Sequence, residues 1–275
     1  MELNFRSTKS LKRMALSAAG ISAIALCALL LVSRPDVAQS SAQSSPQANS
    51  SEPAVPAANT PEELLAGFRH VEVASVSDAE EQILGKKMYM SHRMRPVFPT
   101  KFAGFALTVA LKHQENSQGG QALAGMLAAI DNGKPDSVYV MAVQDGADIA
   151  GMGGEMGTAM AARGFAGAVV DGGVRDTSYL TQIRFPVYGT GIVPSTSVNH
   201  YTFAGANVPV TCDGVPVSPN DIIVADNDGV VVVPRARAAE ILTTAQNMDF
   251  AEHSIDAYIM KYKSIEEAVK KFGRI

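Results

Sequence analysis

Two apolar runs separated by a helix-like stretch constrain this chain more than any other feature. "SVYVMAVQ" (137–144) is apolar, β-branched and of strand length, and "AGAVVDG" (166–172) is a second run of the same kind. Between them, "MGTAMAARG" (156–164) reads as a small-residue helix closed by Gly164. Strand, crossover helix and strand make a βαβ unit, so part of the sheet is parallel. The fold class is therefore α/β.

The flanking segments extend this frame. Thr60 and Glu63 form a capping-box pattern with Pro61 at the first helical position. A second short helix is expected from Ser77 and Asp78, with Glu80 three residues after Ser77, and Gly85 as its stop. "RPVFPTKFAGFALTVAL" reads as a turn followed by a strand, with Gly104 allowing a bend. "ALAGMLAAID" (122–131) has helical spacing. Strands are expected at 185–193, 208–217 and 221–234, the last two with Asp-Gly turn signals. These hairpin-like strands imply a mixed sheet or a second sheet. A long helix over 236–263 follows, and "SIEEAVKKFG" (264–273) closes with Ser264 and Glu267 as cap and Gly273 as stop.

Ahead of this domain stand two segments of different character. Arg6, Lys9, Lys12 and Arg13 precede residues 14–32, nineteen positions without a charge. Residues 1–35 thus read as a signal peptide or an N-terminal membrane anchor. Ser40 and Ala42 offer a cleavage site before Gln43, and four basic residues ahead of the segment keep the N-terminus in the cytoplasm. Residues 36–59, rich in Ser, Ala, Gln and Pro, read as a disordered linker, which leaves 60–275 as the folded domain. The domain is expected to be periplasmic or secreted, touching the inner membrane only through residues 14–32 if they are uncleaved.

Charge and metal-ligand chemistry narrow the function. A net charge of −4 supplies no basic stripe for nucleic acid. Cleavage before Gln43 would leave 18 basic and 25 acidic residues, a charge of −7. Cys27 lies in the leader, so a cleaved product keeps one thiol, Cys212, and no internal disulfide. His70, His92, His113, His200 and His253 are scattered, which does not indicate a zinc site.

The candidate site lies in "DGADIAGMGGEMG" (145–157) and "VVDGGVRDTSYL" (169–180). Gly151, Gly153 and Gly157 are spaced one residue too far for a dinucleotide fingerprint, and no Gly-Lys-Ser/Thr occurs. The loop still offers unpaired amides at a helix N-terminus, where an anion is favoured. Both stretches follow the carboxyl ends of strands joined by one crossover, where ligands gather in open α/β sheets. Arg175 can fork two hydrogen bonds onto a planar anion, and Asp176 suits a hard divalent cation. The alternative is a salt-bridged turn, with Asp176 capping a helix "TSYLTQI"; the residues alone leave both readings open. Asp171 reads as a residue that shapes a turn.

"GFAGAVVDGGVRD" (164–176), with "GMGGEMGTAMAAR" before it and "FPVYGTG" after it, resembles the RraA-like family. That family holds the 4-hydroxy-4-methyl-2-oxoglutarate aldolases and the regulators of ribonuclease E activity. Supporting stretches are "VSDA" (76–79), "MRPVFPTKFAGFALTV" (94–109) and "PVTCDGVPVSPNDIIVADNDGVVVVP" (209–234), so the resemblance covers about residues 70–273. It implies a compact single domain with mixed β-sheets flanked by helices, of the swivelling β/β/α type, assembled as a homotrimer or hexamer. It further implies a divalent cation, Mg²⁺ or Mn²⁺, that supports retro-aldol cleavage of small 4-hydroxy-2-oxo acids to pyruvate and decarboxylation of oxaloacetate.

Carried over by position, the resemblance makes Gly153, Gly154, Glu155 and Met156 the substrate loop, Arg175 the substrate-binding arginine and Asp176 the metal ligand. Two positions depart from the pattern. The aldolases carry acids twenty-one residues before the arginine and three after the aspartate; here these are Gly154 and Tyr179. Glu155 is displaced by one residue, about 100° around a helix, and Glu252 is a candidate acid from a neighbouring subunit. A metal-dependent lyase, a non-catalytic binding or regulatory protein, and a related isomerase or hydratase are the functions consistent with these residues. Mass spectrometry of the mature chain distinguishes the fates of the leader: a mass beginning at Gln43 marks cleavage, one that retains Met1 marks an anchor.

Overall fold

Alternate residues of single strands feed different cores in this protein. The computed structural model describes residues 60–273, and the leader, the linker and the span 14–32 lie outside the described residues. Helices α1 (Pro61–His70) and α2 (Val73–Leu84) precede β1 (Arg95–Pro96) and β2 (Phe102–His113). A 3₁₀ turn leads into α3 (Ala124–Asp131), followed by β3 (Ser137–Val143), β4 (Ala150–Met152), α4 (Gly154–Ala162) and β5 (Gly167–Val174). Then come α5 (Thr177–Gln182), β6 (Val187–Ile192) and β7 (Tyr201–Ala206). The hairpin β8 (Val210–Cys212) and β9 (Val215–Val217) precedes β10 (Ile222–Asp226) and β11 (Gly229–Val233). Helices α6 (Ala238–Tyr262) and α7 (Ile265–Phe272) close the described chain. None of its helices is long and apolar enough to cross a membrane.

The main sheet is mixed, ordered β1-β6-β5-β3-β2-β10-β11, with β4 beside β5 and β7 beside β2. The expected βαβ unit is present, since β3 and β5 pair in parallel. In β3, Tyr139, Met141 and Val143 face a core shared with α3 and α4, whereas Val138 and Val140 face the opposite side. In β10, Ile223 and Ala225 join that second core, and Ile222 and Val224 pack under α1, α2 and α6. Burial on both faces explains why these strands read as unbroken apolar runs. Each buried Val or Ile contributes about 1.5–3 kcal/mol.

One segment nearly closes the sheet. Met90 N–H donates to Val230 O and Val232 N–H to Met88 O, each at 2.9 Å, so residues 88–90 line β11. A few residues on, β1 pairs antiparallel with β6, and Val97 N–H donates to Val187 O at 2.8 Å. Residues 88–97 therefore bridge the two ends of the sheet. The β8–β9 hairpin covers the interior with Val210, Cys212, Val215 and Val217. Its turn, Asp213-Gly214, has both residues at positive φ (44° and 81°), as the sequence signal requires.

Carboxylates hold this closure. Asp171 is not a turn residue as expected: "DGG" stays within β5, and Asp171 Oδ2 accepts the Asp213 N–H at 2.7 Å. Asp213 in turn accepts from Ser91 N–H and from Arg93 Nη2, both at 2.6 Å. Burial pushes the Asp171 carboxyl above the usual carboxylate range. Burial acts on Asp213 in the same direction, but the hydrogen bonds from Ser91 and Arg93 prevail and hold it low.

Two further expectations change. The loop at 145–157 contains the short strand β4, which pairs with the end of β5, and α4 begins at Gly154 rather than 156. Helix α2 begins at Val73, four residues before the Ser77 signal. Its start is capped from a distance: Val73 N–H donates to Asp226 Oδ2 at 3.1 Å, so no local cap is needed. Ser77 and Glu80 then fall inside the helix.

Glu80 is wholly buried, and neither carboxyl oxygen has a hydrogen-bond partner among the described residues. Burial raises its pKa from 4.5 to about 8. An acid whose folded pKa lies above its unfolded value loses stability as pH rises from the unfolded value through the folded one. That window is pH 4.5 to about 8. Glu80→Gln keeps the shape and removes the ionisation. We expect it to stabilise the domain at alkaline pH by roughly 2 kcal/mol or more and to flatten its profile relative to the parent. Thermal denaturation of both proteins at a series of pH values checks this.

Candidate functional site

Parallel pairing of β3 with β5, and of β5 with β4 and β6, sets their carboxyl ends side by side. Arg175 and Asp176 follow immediately on β5, and Arg175 N–H donates to Met152 O at 3.1 Å. The pair is thereby held against the start of α4. Asp176 takes the N-cap position of α5 with a left-handed φ of 57°, yet its side chain makes no capping bond there. Its Oδ2 instead accepts the Gly154 N–H at 2.9 Å. The aspartate does cap a helix, but the helix is α4. This contact depends on a glycine: a Cβ on Gly153 would lie 2.6 Å from Asp176 Oδ2 and 3.0 Å from Arg175 Cγ.

Gly153, Gly154, Glu155, Met156, Arg175 and Asp176 line one cavity of about 320 Å³. Arg175 Nη1 donates to Ser195 O at 3.1 Å, and its Nε lies 3.7 Å from Asp176 Oδ2. Both side chains are about half exposed, so this ion pair contributes at most about 1 kcal/mol. Because Asp176 occupies the Gly154 amide, the Glu155 and Met156 amides in the first turn of α4 are the ones left for an anion. Asp176 Oδ1 has no hydrogen-bond partner among the described residues.

Sequence reasoning missed the far wall. Ser195 Oγ accepts the Ala150 N–H and donates to Asp148 O, each at 2.9 Å, which pins residues 193–200 over the glycine loop. Thr196, Ser197 and Val198 of that segment line the cavity with Leu123, Met126 and Leu127. "VPSTSVNH" signals a polar loop, but no local pattern shows a contact across 45 residues.

A divalent cation fits this arrangement in one respect and not in another. Among the described residues, no three His, Cys, Asp or Glu side chains cluster as a closed metal cage. Mg²⁺ needs none: it commonly takes one or two carboxylates, retains waters and accepts oxygens from the substrate. Asp176, which lines the cavity and keeps Oδ1 without a hydrogen bond among the described residues, suits that role. A four-ligand structural zinc site does not fit.

The remaining candidates are dispersed. Gly154 and Tyr179 are in contact, since a Cβ on Gly154 would lie 2.9 Å from Tyr179 Cδ1. Glu155 lines the cavity, but Glu252 lies in α6 and lines neither this cavity nor the groove beside it. No histidine lines either. His113 and His200 both contact Glu115, and Cys212 is a buried free thiol.

Fold and site together define an α/β protein whose strand ends present an arginine, an aspartate and helix amides to one small cavity. The chain belongs to the RraA-like family, described as Aldolase/RraA, whose model matches residues 73–232. It is 40% identical over 85 residues to a Halalkalibacterium halodurans protein named "Putative 4-hydroxy-4-methyl-2-oxoglutarate aldolase", over 30% of this chain and 39% of that one. The chain spans between 17% and 51% of the length of three curated relatives that it matches. Among solved structures it is similar to an uncharacterized Pseudomonas syringae protein (TM-score 0.67, 27% identity, 75% of this chain and 96% of that one). It is also similar to Streptomyces coelicolor RraAS2, described as an unusual member of the RNase ES inhibitor RraA protein family (TM-score 0.62, 27% identity, 72% and 98%).

Gly153→Ala should leave the fold intact, because the backbone there is extended (φ −149°) and open to any residue. The added methyl group pushes Arg175 and Asp176 out of place. We expect the affinity of the cavity for a small carboxylate anion, followed by calorimetry, to weaken at least about tenfold with little change in melting temperature.

Proposed function

We propose that this protein is a divalent-metal-dependent carbon–carbon lyase acting on small 2-oxo and 4-hydroxy-2-oxo acids, with oxaloacetate decarboxylation as its simplest reaction. One observation carries the reading: Arg175, Asp176 and the free amides of α4 converge on a single cavity. The aldolase-named relative supports it. Arg175 would bind the substrate carboxylate in a forked pair, and the Glu155 and Met156 amides would take its remaining lone pairs. Asp176 would hold Mg²⁺ or Mn²⁺ through Oδ1, and the bound cation would supply the Lewis acid that stabilises negative charge on the 2-oxo group. Leu123, Met126, Leu127 and Val198 limit water on the opposite side. The proton released from a 4-hydroxyl group passes to solvent, so a site without histidine suffices. The reading includes export of the domain and its assembly into a trimer or hexamer.

A second reading, a non-catalytic binding protein, rests on Gly154 and Tyr179 standing where the family's aldolases carry acids. The two readings differ in a direct assay. With Mn²⁺ or Mg²⁺, the parent should convert oxaloacetate to pyruvate at least about 100-fold faster than Arg175→Ala or Asp176→Ala. Equal rates in all three would refute the lyase. Mn²⁺ binding followed by calorimetry should be lost in Asp176→Asn under either rate outcome if the aspartate is the ligand.

A further inference from the structure

A shallow groove adjoins the cavity and shares Gly154, Glu155 and Asp176 with it. Its floor is unlike the apolar wall on the other side. The Tyr179 ring lies against Gly154 in space that any side chain there would need, and its hydroxyl is 3.1 Å from Thr158 Oγ1. Thr177 and Ser178 complete the lining, and neither hydroxyl has a hydrogen-bond partner among the described residues. No lysine or arginine lines the groove, while Glu155 and Asp176 both do.

We propose that this groove binds the tail of the substrate, and that the tail is a neutral polyhydroxylated carbon chain rather than a second carboxylate. The proposal rests on the lyase reading for the position of the head group. A tail carboxylate in the groove would lie beside Glu155 with no lysine or arginine of the groove's own lining to pair with it, and like charges brought close together repel. Hydroxyl groups suit every feature of the groove. They donate to Glu155, exchange hydrogen bonds with Thr177 and Ser178, and leave a C–H face to lie on the Tyr179 ring. The substrate class is then a 3-deoxy-2-oxo sugar acid with a 4-hydroxyl group. In its cleavage the C3–C4 bond breaks and the 4-hydroxyl proton leaves. C4 becomes an aldehyde carbon, and the electron pair left on C3 takes up a proton to give pyruvate. The other product is a neutral hydroxyaldehyde.

The test separates the tail from the chemistry. The melting temperature of the full chain is followed while a six-carbon 3-deoxy-2-oxo sugar acid or 4-hydroxy-4-methyl-2-oxoglutarate is titrated in, without metal, so that nothing turns over. The sugar acid should bind at least about tenfold more tightly. Tyr179→Ala should shrink that preference to about threefold or less, and Tyr179→Phe, which keeps the ring, should retain most of it. Equal binding, tighter binding of the dicarboxylate, no binding of either acid, or a preference unchanged in Tyr179→Ala would each overturn the proposal. Oxaloacetate has no such tail, so its conversion with Mn²⁺ tests the lyase reading alone. Failure there together with a Tyr179-dependent preference would remove the lyase and keep the groove.

Discussion

The Asp171 carboxylate, planted in the middle of β5 and bonded to the turn of the β8–β9 hairpin, is the interaction on which the rest of the architecture depends. A strand interior is an unfavourable place for a charge unless its oxygens find donors. Here the donor is the Asp213 N–H, and the Asp213 side chain, almost fully buried, passes the tie on to Ser91 and Arg93. Three separate parts of the chain are thus held at one point: the strand that ends at Arg175 and Asp176, the hairpin over the interior, and the segment that bridges the sheet ends. Removing Asp171 would leave a buried N–H unpaired and loosen all three, at about 1–3 kcal/mol for the unpaired group alone.

The site inherits its geometry from that frame. Because β5 is fixed on both sides by β3 and β6, the residues that follow it have little freedom. Asp176 uses one oxygen to cap the start of α4, and the other makes no hydrogen bond among the described residues. Arg175 is tied back to the 193–200 segment, which Ser195 ties in turn to the glycine loop. The functional groups therefore belong to one hydrogen-bonded ring, held by the side chains of Arg175, Ser195 and Asp176 and by the backbone bond from Arg175 N–H to Met152 O.

Most of the secondary structure was legible because local signals and tertiary demand agree. Thr60 with Glu63, Ser264 with Glu267, and Gly85 or Gly273 at helix ends act where they stand. The apolar runs of β3, β5 and β10 each meet a core on both faces. Expectations failed where a distant partner replaced a local one. Asp226 starts α2 in place of any residue near Val73, and Asp171 serves a hairpin about 40 residues away rather than its own turn. Arg175, Asp176 and residues 153–156 were legible because they lie at the ends of one βαβ unit. Ser195 and the wall at 196–198 were not, because their contact joins residues 45 positions apart through a segment placed by β6 and β7.

The contact between Gly154 and Tyr179 has a consequence for how such a chain changes over generations. An acid added at 154 would force the Tyr179 ring aside, because its Cδ1 stands 2.9 Å from where the Cβ would be, whereas the ring at 179 can shorten without disturbing 154. The two positions are therefore coupled in what each tolerates as well as joined in space. The less crowded route between a two-acid site and this one alters position 179 first in one direction and last in the other. Its intermediates all share a small residue at 154 beside an empty pocket edge.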